Sequence, residues 1–281
     1  MAYTSTIPSS PLDRYIDDLY YVDGPSPYHH MKVFPMPSLH LMVNLGNPFR
    51  VYKPDQTKVF ATCTESWSVG LWSTYHIVEW PLNVQFYGIH FKAGGAYPFL
   101  QLPLSELHNE VLSLDAIWGC YAAEIRERLY AAPSIQAGFS LLERLLLSRL
   151  CEVEPHGLDV VQYAIGEITR YEGALSIRAL CDDIGISPSH LVTYFNRMVG
   201  VPPKALARFY RFAQVLSSID LTQPVDWALM AQQAQFYDQS HFNKNFTAFT
   251  GYSPTDYLRL RQRLNATNPE QAQNLGQMPI G

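Results

Sequence analysis

SPSHLVTYFNRMVGVPP (187–203) and DQSHFNKNFTAFTGYSP (238–254) are one pattern written twice. In the first, Leu191, Phe195 and Met198 recur at i, i+4 and i+7, which puts all three on one stripe of a helix. Phe242, Phe246 and Phe249 do the same in the second. The two stretches superimpose at a constant shift of 51 positions, which also lays Gly200 on Gly251 and Pro203 on Pro254. Ser187 and Asp238 fall in register as helix N-caps. Each glycine follows its helix where a left-handed closing residue is favoured.

The faces opposite the apolar stripes carry Ser189, Thr193 and Asn196 in the first helix and Ser240, Lys244 and Thr247 in the second, all polar. Upstream of each lies a shorter predicted helix, Ser176 to Asp182 before Ile184-Gly185-Ile186, and Val225 to Gln233 before Gln235-Phe236. A short helix, a tight turn and a second helix with an exposed polar ridge make the helix-turn-helix layout that offers side chains to a DNA major groove. The units are expected over about 176–199 and 225–249. Between them Pro202 to Ser218 reads as a helix of about 25 Å. A strut of that size would hold two reading helices about 34 Å apart, one duplex turn. Its expected buried side is Leu206, Phe209, Tyr210, Ala213 and Leu216, with Lys204, Arg208 and Arg211 facing solvent or phosphate.

At these residues the chain resembles the AraC/XylS family of bacterial transcription regulators. The resemblance runs from about Leu158 to about Arg263 and rests on LSIRALCDDIGISPSHLVTYFNRMVGVPPKAL and AQFYDQSHFNKNFTAFTGYSPTDYLR. It implies double-stranded DNA as the partner, with RNA polymerase and a small-molecule effector as further ones. Ser189, Val192 and Thr193 match the family's base-reading positions in the first groove, where Val192 suits a thymine methyl. Gln239, Ser240, His241 and Lys244 match those in the second, with Gln239 suited to adenine and Lys244 to guanine or a phosphate. Asn196, Arg197, Lys204, Arg208 and Arg211 are expected to position the DNA backbone. Gln235 and Tyr237 depart from the family pattern, which has Gly and Ser there; a Gln in a left-handed turn costs about 1 kcal/mol relative to Gly. A single polar residue at any of these places is more simply a solvated helix face. Two ridges repeated at a fixed shift are not.

The net charge of −5 is not that of a general nucleic-acid binder. Splitting the chain explains it: residues 1–159 hold 10 Lys and Arg against 16 Asp and Glu, and residues 160–264 hold 10 against 8. The acidity belongs to the front half. Four scattered cysteines (Cys63, Cys120, Cys151, Cys181) without zinc-finger spacing, and the lack of a leader-like or spanning apolar run, predict a cytoplasmic protein with reduced thiols. No cofactor is expected.

From residue 31 to residue 91 short β-branched and aromatic runs alternate with Pro, Gly, Asn and Asp. The runs are Met31 to Phe34, His40 to Leu45, Arg50 to Lys53, Lys58 to Thr62, Trp67 to Leu71, Tyr75 to Trp80 and Val84 to Phe91. Six or seven closely spaced strands predict a small barrel or jelly roll. MKVFPMPSLHLMVNLG (31–46), WSVGLW (67–72) and QFYGIHFKAGGAYPFLQLPLSEL (85–107) resemble the cupin-like N-terminal domain of some of these regulators, though Met36-Pro37-Ser38 departs from the usual acidic residue and Gly. Helices are predicted over Ala116 to Ala131 and Ser134 to Leu150, the latter with leucines spread widely enough to seek a second subunit, giving a homodimer through 134–150.

The expected fold is α+β in two domains. Residues 1–151 form the cupin-like domain with trailing helices, 152–157 a linker, 158–265 an all-helical DNA-binding domain, and 266–281 a flexible tail. A cavity in the barrel would be lined by Phe34, His40, Trp67, Trp72, His76 and His90, each of which taken singly is more simply core or surface. Two other functions fit parts of the pattern. A metal-dependent enzyme would need His40, His76 and His90 to converge, but His-x-His spacing, HExxH and a Gly-x-Ser-x-Gly elbow are absent from the sequence. A helical adaptor binding only protein would use the same ridges without salt-dependent DNA affinity.

Overall fold

The computed structural model describes residues 1–54, 57–150 and 156–280. Its front half is a pair of facing antiparallel sheets. The strands are β1 (Ala2–Thr6), β2 (Ile16–Pro25), β3 (His30–Val33), β4 (Leu39–Asn44), β5 (Phe49–Tyr52), β6 (Ala61–Cys63), β7 (Ser66–Val69), β8 (His76–Glu79), β9 (Asn83–Phe91) and β10 (Val111–Ser113). One sheet runs β1-β2-β9-β4-β7-β10. The other runs β3-β8-β5-β6 and takes one more strand, from the far end of the chain.

Side chains alternate across a strand, so a strand buried on both faces reads as a continuous apolar run. LYYV in β2, LHLMV in β4 and FYGIHF in β9 are such runs. Leu19 and Tyr21, Leu41 and Val43, and Tyr87, Ile89 and Phe91 face outward into the main core. Tyr20, Val22, Trp67 and Phe86 point the other way and meet Phe49, Val51 and Cys63 of the second sheet. Gly88 pairs across from Tyr20, and its bare Cα makes room for the Tyr20 ring, which a Cβ would strike.

The outward face is covered by α1 (Tyr97–Leu100), α2 (Leu114–Trp118), α3 (Cys120–Tyr130) and α4 (Ile135–Arg149). The single helix expected over Ala116 to Ala131 is split at Gly119, whose φ of 61° an α-helix does not allow. In α4, Phe139, Leu141, Leu142, Leu145 and Leu146 are buried within the chain itself, so its wide apolar face needs no second subunit to cover it. Strands β1 and β10 were not legible: AYTST is polar and exposed, and β10 is three residues long.

The back half is helical: α5 (Leu158–Arg170), α6 (Ile177–Ile184), α7 (Pro188–Met198), α8 (Pro203–Ser217), α9 (Trp227–Gln233), α10 (Gln239–Thr250), α11 (Pro254–Thr267) and α12 (Pro269–Gln273). The linker expected over 152–157 lies mostly outside the described residues, as does Cys151. The buried side of α8 is Leu206, Ala207, Phe209, Phe212, Val215 and Leu216, whereas Tyr210 and Ala213 sit at its half-buried edge. The expected face was therefore rotated, because Phe212 meets Phe249 edge-on at 4.6 Å and draws the strut toward the second unit.

The tail is not free. After α12 the chain forms β11 (Gln277–Ile280), which pairs antiparallel with β3, Met278 opposite Lys32 and Ile280 opposite His30. Pro279 is tolerated because β11 is the sheet edge. Arg261 holds the tail in place. It is fully buried, donates to the Tyr257 hydroxyl at 2.7 and 3.1 Å, and donates to the carbonyls of Asn274 at 3.0 Å and Leu275 at 3.3 Å. An isolated C-terminal stretch of QAQNLGQMPIG shows nothing of this partner, which lies in α11. Arg261→Met leaves those carbonyls without a donor, and it is expected to cost about 3 kcal/mol in urea unfolding and to expose the amides of β11 to rapid hydrogen exchange. An unchanged midpoint would mean that the tail contributes nothing.

Candidate nucleic-acid interface

Both helix-turn-helix units are built by their caps. Ser176 and Ser187 accept from the amides of Ala179 and His190, fixing the starts of α6 and α7. Asp226 and Asp238 do the same for α9 and α10, with Asp238 accepting from His241 N at 2.7 Å. The first turn passes through Gly185 at φ 80° and the second through Gln235 at φ 55°. Leu191, Phe195 and Met198 are buried on α7, and Phe242, Phe246 and Phe249 on α10. Burying each such side chain stabilises by about 2 kcal/mol, so the stripes are fixed inward and the ridges are left outside.

The ridges are open. Ser189, Val192, Thr193, Gln239, Ser240, His241 and Lys244 are all exposed. Their chemistry differs between the units. On α7 the Thr193 hydroxyl donates to the Ser189 carbonyl at 3.0 Å and the Ser189 hydroxyl meets that of Ser187, so the outward surface is largely the methyl groups of Val192 and Thr193. On α10 the Gln239 amide and Lys244 ammonium have no hydrogen-bond partner among the described residues, and the His241 ring leans on Phe236 at 5.6 Å. Tyr237, 92% exposed, projects just ahead of α10.

The residues expected to meet phosphates divide. Lys204 is exposed and Asn196 half-buried. Arg208 and Arg211 are not free in solvent. Each is half-buried with its Nε enclosed and unpartnered, Arg208 lying 4.7 Å over Phe249 and Arg211 5.6 Å over Phe236. Burial lowers the pKa of both, and the neighbouring Arg211 adds to the effect on Arg208. They were misplaced because the aromatic rings that hold them come from the second unit. Arg197 is exposed but reaches the front half, 5.6 Å over Tyr97.

Behind the units lies a cavity of about 860 Å³ between the sheets, and Phe34, His40, Trp67, Trp72, His76 and His90 all line it. The alternation that turns Leu41 outward turns His40 inward, and the register sets His40 across from His90 with the rings stacked at 4.5 Å. Tyr20 hydroxyl lies 3.2 Å from His40 Nδ1, and Asp18 accepts from His90 Nδ1 at 3.2 Å. Burial pushes the pKa of His40 and of His76 down to about 3. The sequence did not single out Tyr20, Trp80 or the back-half residues Ile165, Thr169 and Tyr210, which also line the cavity. Period-two counting along β2 would have found Tyr20; no local signal marks the others.

Residues 180–260 match the family model of a helix-turn-helix domain. The back half is an AraC-type helix-turn-helix domain, the DNA-binding part of a transcription regulator. Residues 4–113 match a domain of unknown function (DUF6597). No protein of curated function matches the chain by sequence. Among solved structures, ToxT from Vibrio cholerae O395 is 10% identical, with a TM-score of 0.44 over 86% of this chain and 97% of that one. Unsaturated fatty acid bound wild-type ToxT from Vibrio cholerae strain SCE256 is 12% identical, with 0.40 over 85% and 93%. The AraC-like transcriptional activator CuxR is 13% identical, with 0.26 over 77% and 86%. These scores are too low to place any residue of this chain. No described helix is long and apolar enough to cross a membrane.

Within the AraC-type domain, Gln235→Gly relieves a left-handed φ and is expected to raise stability by about 1 kcal/mol in thermal unfolding; a loss would show that the Gln side chain holds the turn. The buried histidines set a second expectation. Their folded pKa lies below the ordinary 6.5, so the unfolded chain binds more protons between about 6.5 and 3 and stability falls as pH drops through that window. His76→Phe should flatten the acid limb of a urea midpoint against pH plot. An unchanged limb would mean that His76 is charged in the fold.

Proposed function

We propose that the protein is a sequence-specific transcription regulator whose two helix-turn-helix units read two successive major grooves, under the control of a small molecule held between the front sheets. What supports this most is the pair of ridges, equivalent in sequence, fixed by buried stripes and both open. On α7, Val192 and Thr193 would pack on thymine methyls, with Ser189 beside them. On α10, Gln239, Ser240, His241 and Lys244 would read by hydrogen bonds. Lys204, Asn196 and the exposed Tyr237 would seat the backbone, since phosphate contacts come from hydroxyls and amides as well as cations.

Control would pass through the cavity wall, to which Ile165 and Thr169 of α5, Tyr210 of α8 and residues 271 and 273–277 of the tail contribute alongside the front half. An occupant changes how the halves pack and so the population able to seat both helices at once. The proposal places the protein in the cytoplasm and gives it no catalytic role. The parallel, stacked rings of His40 and His90 send their in-plane lone pairs past one another, not to a common ion. Recruitment of RNA polymerase fits a regulator of this kind. A homodimer through 134–150 would have little beyond Leu147, 46% exposed, to use on α4.

Footprinting on genomic fragments selected by the full chain tests the reading faces. Lys244→Ala is expected to weaken protection in the second half of the site and to lower the salt slope by about 1, and Thr193→Ala to change base preference in the first half by about 1 kcal/mol. If both variants footprint like the parent, the ridges do not read DNA. Absence of salt-dependent binding would favour a protein-only adaptor.

A further inference from the structure

We infer that the cavity takes an uncharged, ring-rich molecule carrying at least one hydrogen-bond acceptor, an inference that rests on the effector role proposed above. The walls come first. Tyr20, Phe49, Trp67, Trp72, Trp80 and Phe86 line the cavity. These flat aromatic walls favour a partner that stacks or meets them edge-on, with each such ring pair adding about 1 kcal/mol beyond simple burial.

Beside the rings, N–H groups of His40 and Trp72 can donate to an occupant. The Tyr20 hydroxyl lies 3.2 Å from His40 Nδ1, and with the phenol as donor the imidazole proton sits on Nε2. His40 is deep in the fold, yet it keeps accessible surface because the cavity reaches it. Trp72 Nε1, which can only donate, is buried with no acceptor, and its ring lies 4.3 Å from that of His76, whose Nδ1 is also unpartnered. An N–H enclosed without an acceptor costs about 1–3 kcal/mol, which an oxygen on the occupant offsets when it draws that ring toward it.

Charge is then decided by what is missing from the inner wall. Among the described lining side chains the one Lys or Arg is Lys92, whose ammonium donates to the Asp13 carbonyl at 2.7 Å, and the one carboxylate is the exposed Asp17. A carboxylate would have to shed its water against neutral donors alone. Nor do His40 and His76 supply a cation, since burial keeps both neutral at physiological pH, and His90 is taken up by the Asp18 carboxylate at 3.2 Å. An ammonium group would meet the His40 N–H. An ester, ketone, lactone or aryl ether escapes both penalties.

Four probes with one skeleton test this: methyl biphenylcarboxylate, biphenylcarboxylate, methylbiphenyl and biphenylmethylammonium, titrated into the full chain. Three of the 5 tryptophans, Trp67, Trp72 and Trp80, line the cavity, so quenching of their fluorescence reports binding, with thermal unfolding as a second readout. The ester is expected to bind about tenfold or more tightly than either ion and about tenfold more tightly than the hydrocarbon, the value of one buried hydrogen bond. His40→Phe should abolish the ester's advantage over methylbiphenyl while leaving the affinity for methylbiphenyl as it was, which also shows that the variant is folded. An ion binding as well as the ester overturns the uncharged class and leaves the cavity as an effector site. Equal binding of ester and hydrocarbon overturns the acceptor. If none of the four binds, the effector role itself fails.

Discussion

Burial of β2, β4 and β9 on both faces is the constraint on which the other features depend. A strand side chain has only two directions, so once Leu41 and Ile89 are committed to the helices, His40 and His90 are committed to the space between the sheets. The outer commitment seats α1 to α4, and the same core continues into Leu158, Val161 and Met198 of the back half. The inner one makes the cavity. A slip of one residue in β4 would take His40 out of the cavity and put Leu41 there, turning His40 toward the helices instead. Register thus sets the cavity's chemistry and the seat of the DNA-binding half together.

That seat lies at the closing ends of both reading helices. Gly200, at φ 96°, rests against the Leu104 carbonyl, and Arg197 reaches Tyr97. At the end of α10, Lys32 of β3 donates to the Gly251 carbonyl at 3.3 Å and lies 3.6 Å over Tyr252 and 4.6 Å over Tyr75. The last carbonyls of a helix carry partial negative charge, so an ammonium there is favourable, and the two rings shield it from water. Gly251 has no Cβ to obstruct this approach. The front half therefore holds α7 and α10 by their C-terminal ends and leaves their N-terminal turns, with Ser189 and Gln239, outside.

The two units could be read from sequence because each is local. A cap, a stripe of period 3.6 and a closing glycine lie within seventeen residues, and Ser187, Phe195 and Gly200 behave as the spacing predicts. The inner strands were legible for a similar reason, their apolar runs being bounded by turn residues. What escaped was decided by distant partners. Arg208 reads as a solvent cation until Phe249 is placed beside it, and the tail reads as polar and loose until Arg261 and β3 receive it. Lys32 looks like an ordinary outward strand residue, and only the fold brings Gly251, 219 positions away, to its ammonium. Six candidate cavity residues came together because strand alternation is local, but the back-half wall of the same cavity carries no mark in the sequence.

The strength of these junctions limits how control can work. Moving a population from one part in a hundred to ninety-nine asks for about 5.5 kcal/mol of differential binding. One cation–π contact such as Lys32 on Tyr252 is worth about 2 kcal/mol at most, and losing it alone shifts the balance by about thirtyfold. An occupant that disturbed a single junction would leave the other grips closed. The cavity wall, however, is shared by α5, α8 and the tail, and the tail is fastened through Arg261 to α11, directly after α10. Under the proposed control, one molecule seated there would touch supports of both units together, and its contacts would add across several junctions. That convergence is the physical condition for a small ligand to govern whether two helices engage one duplex.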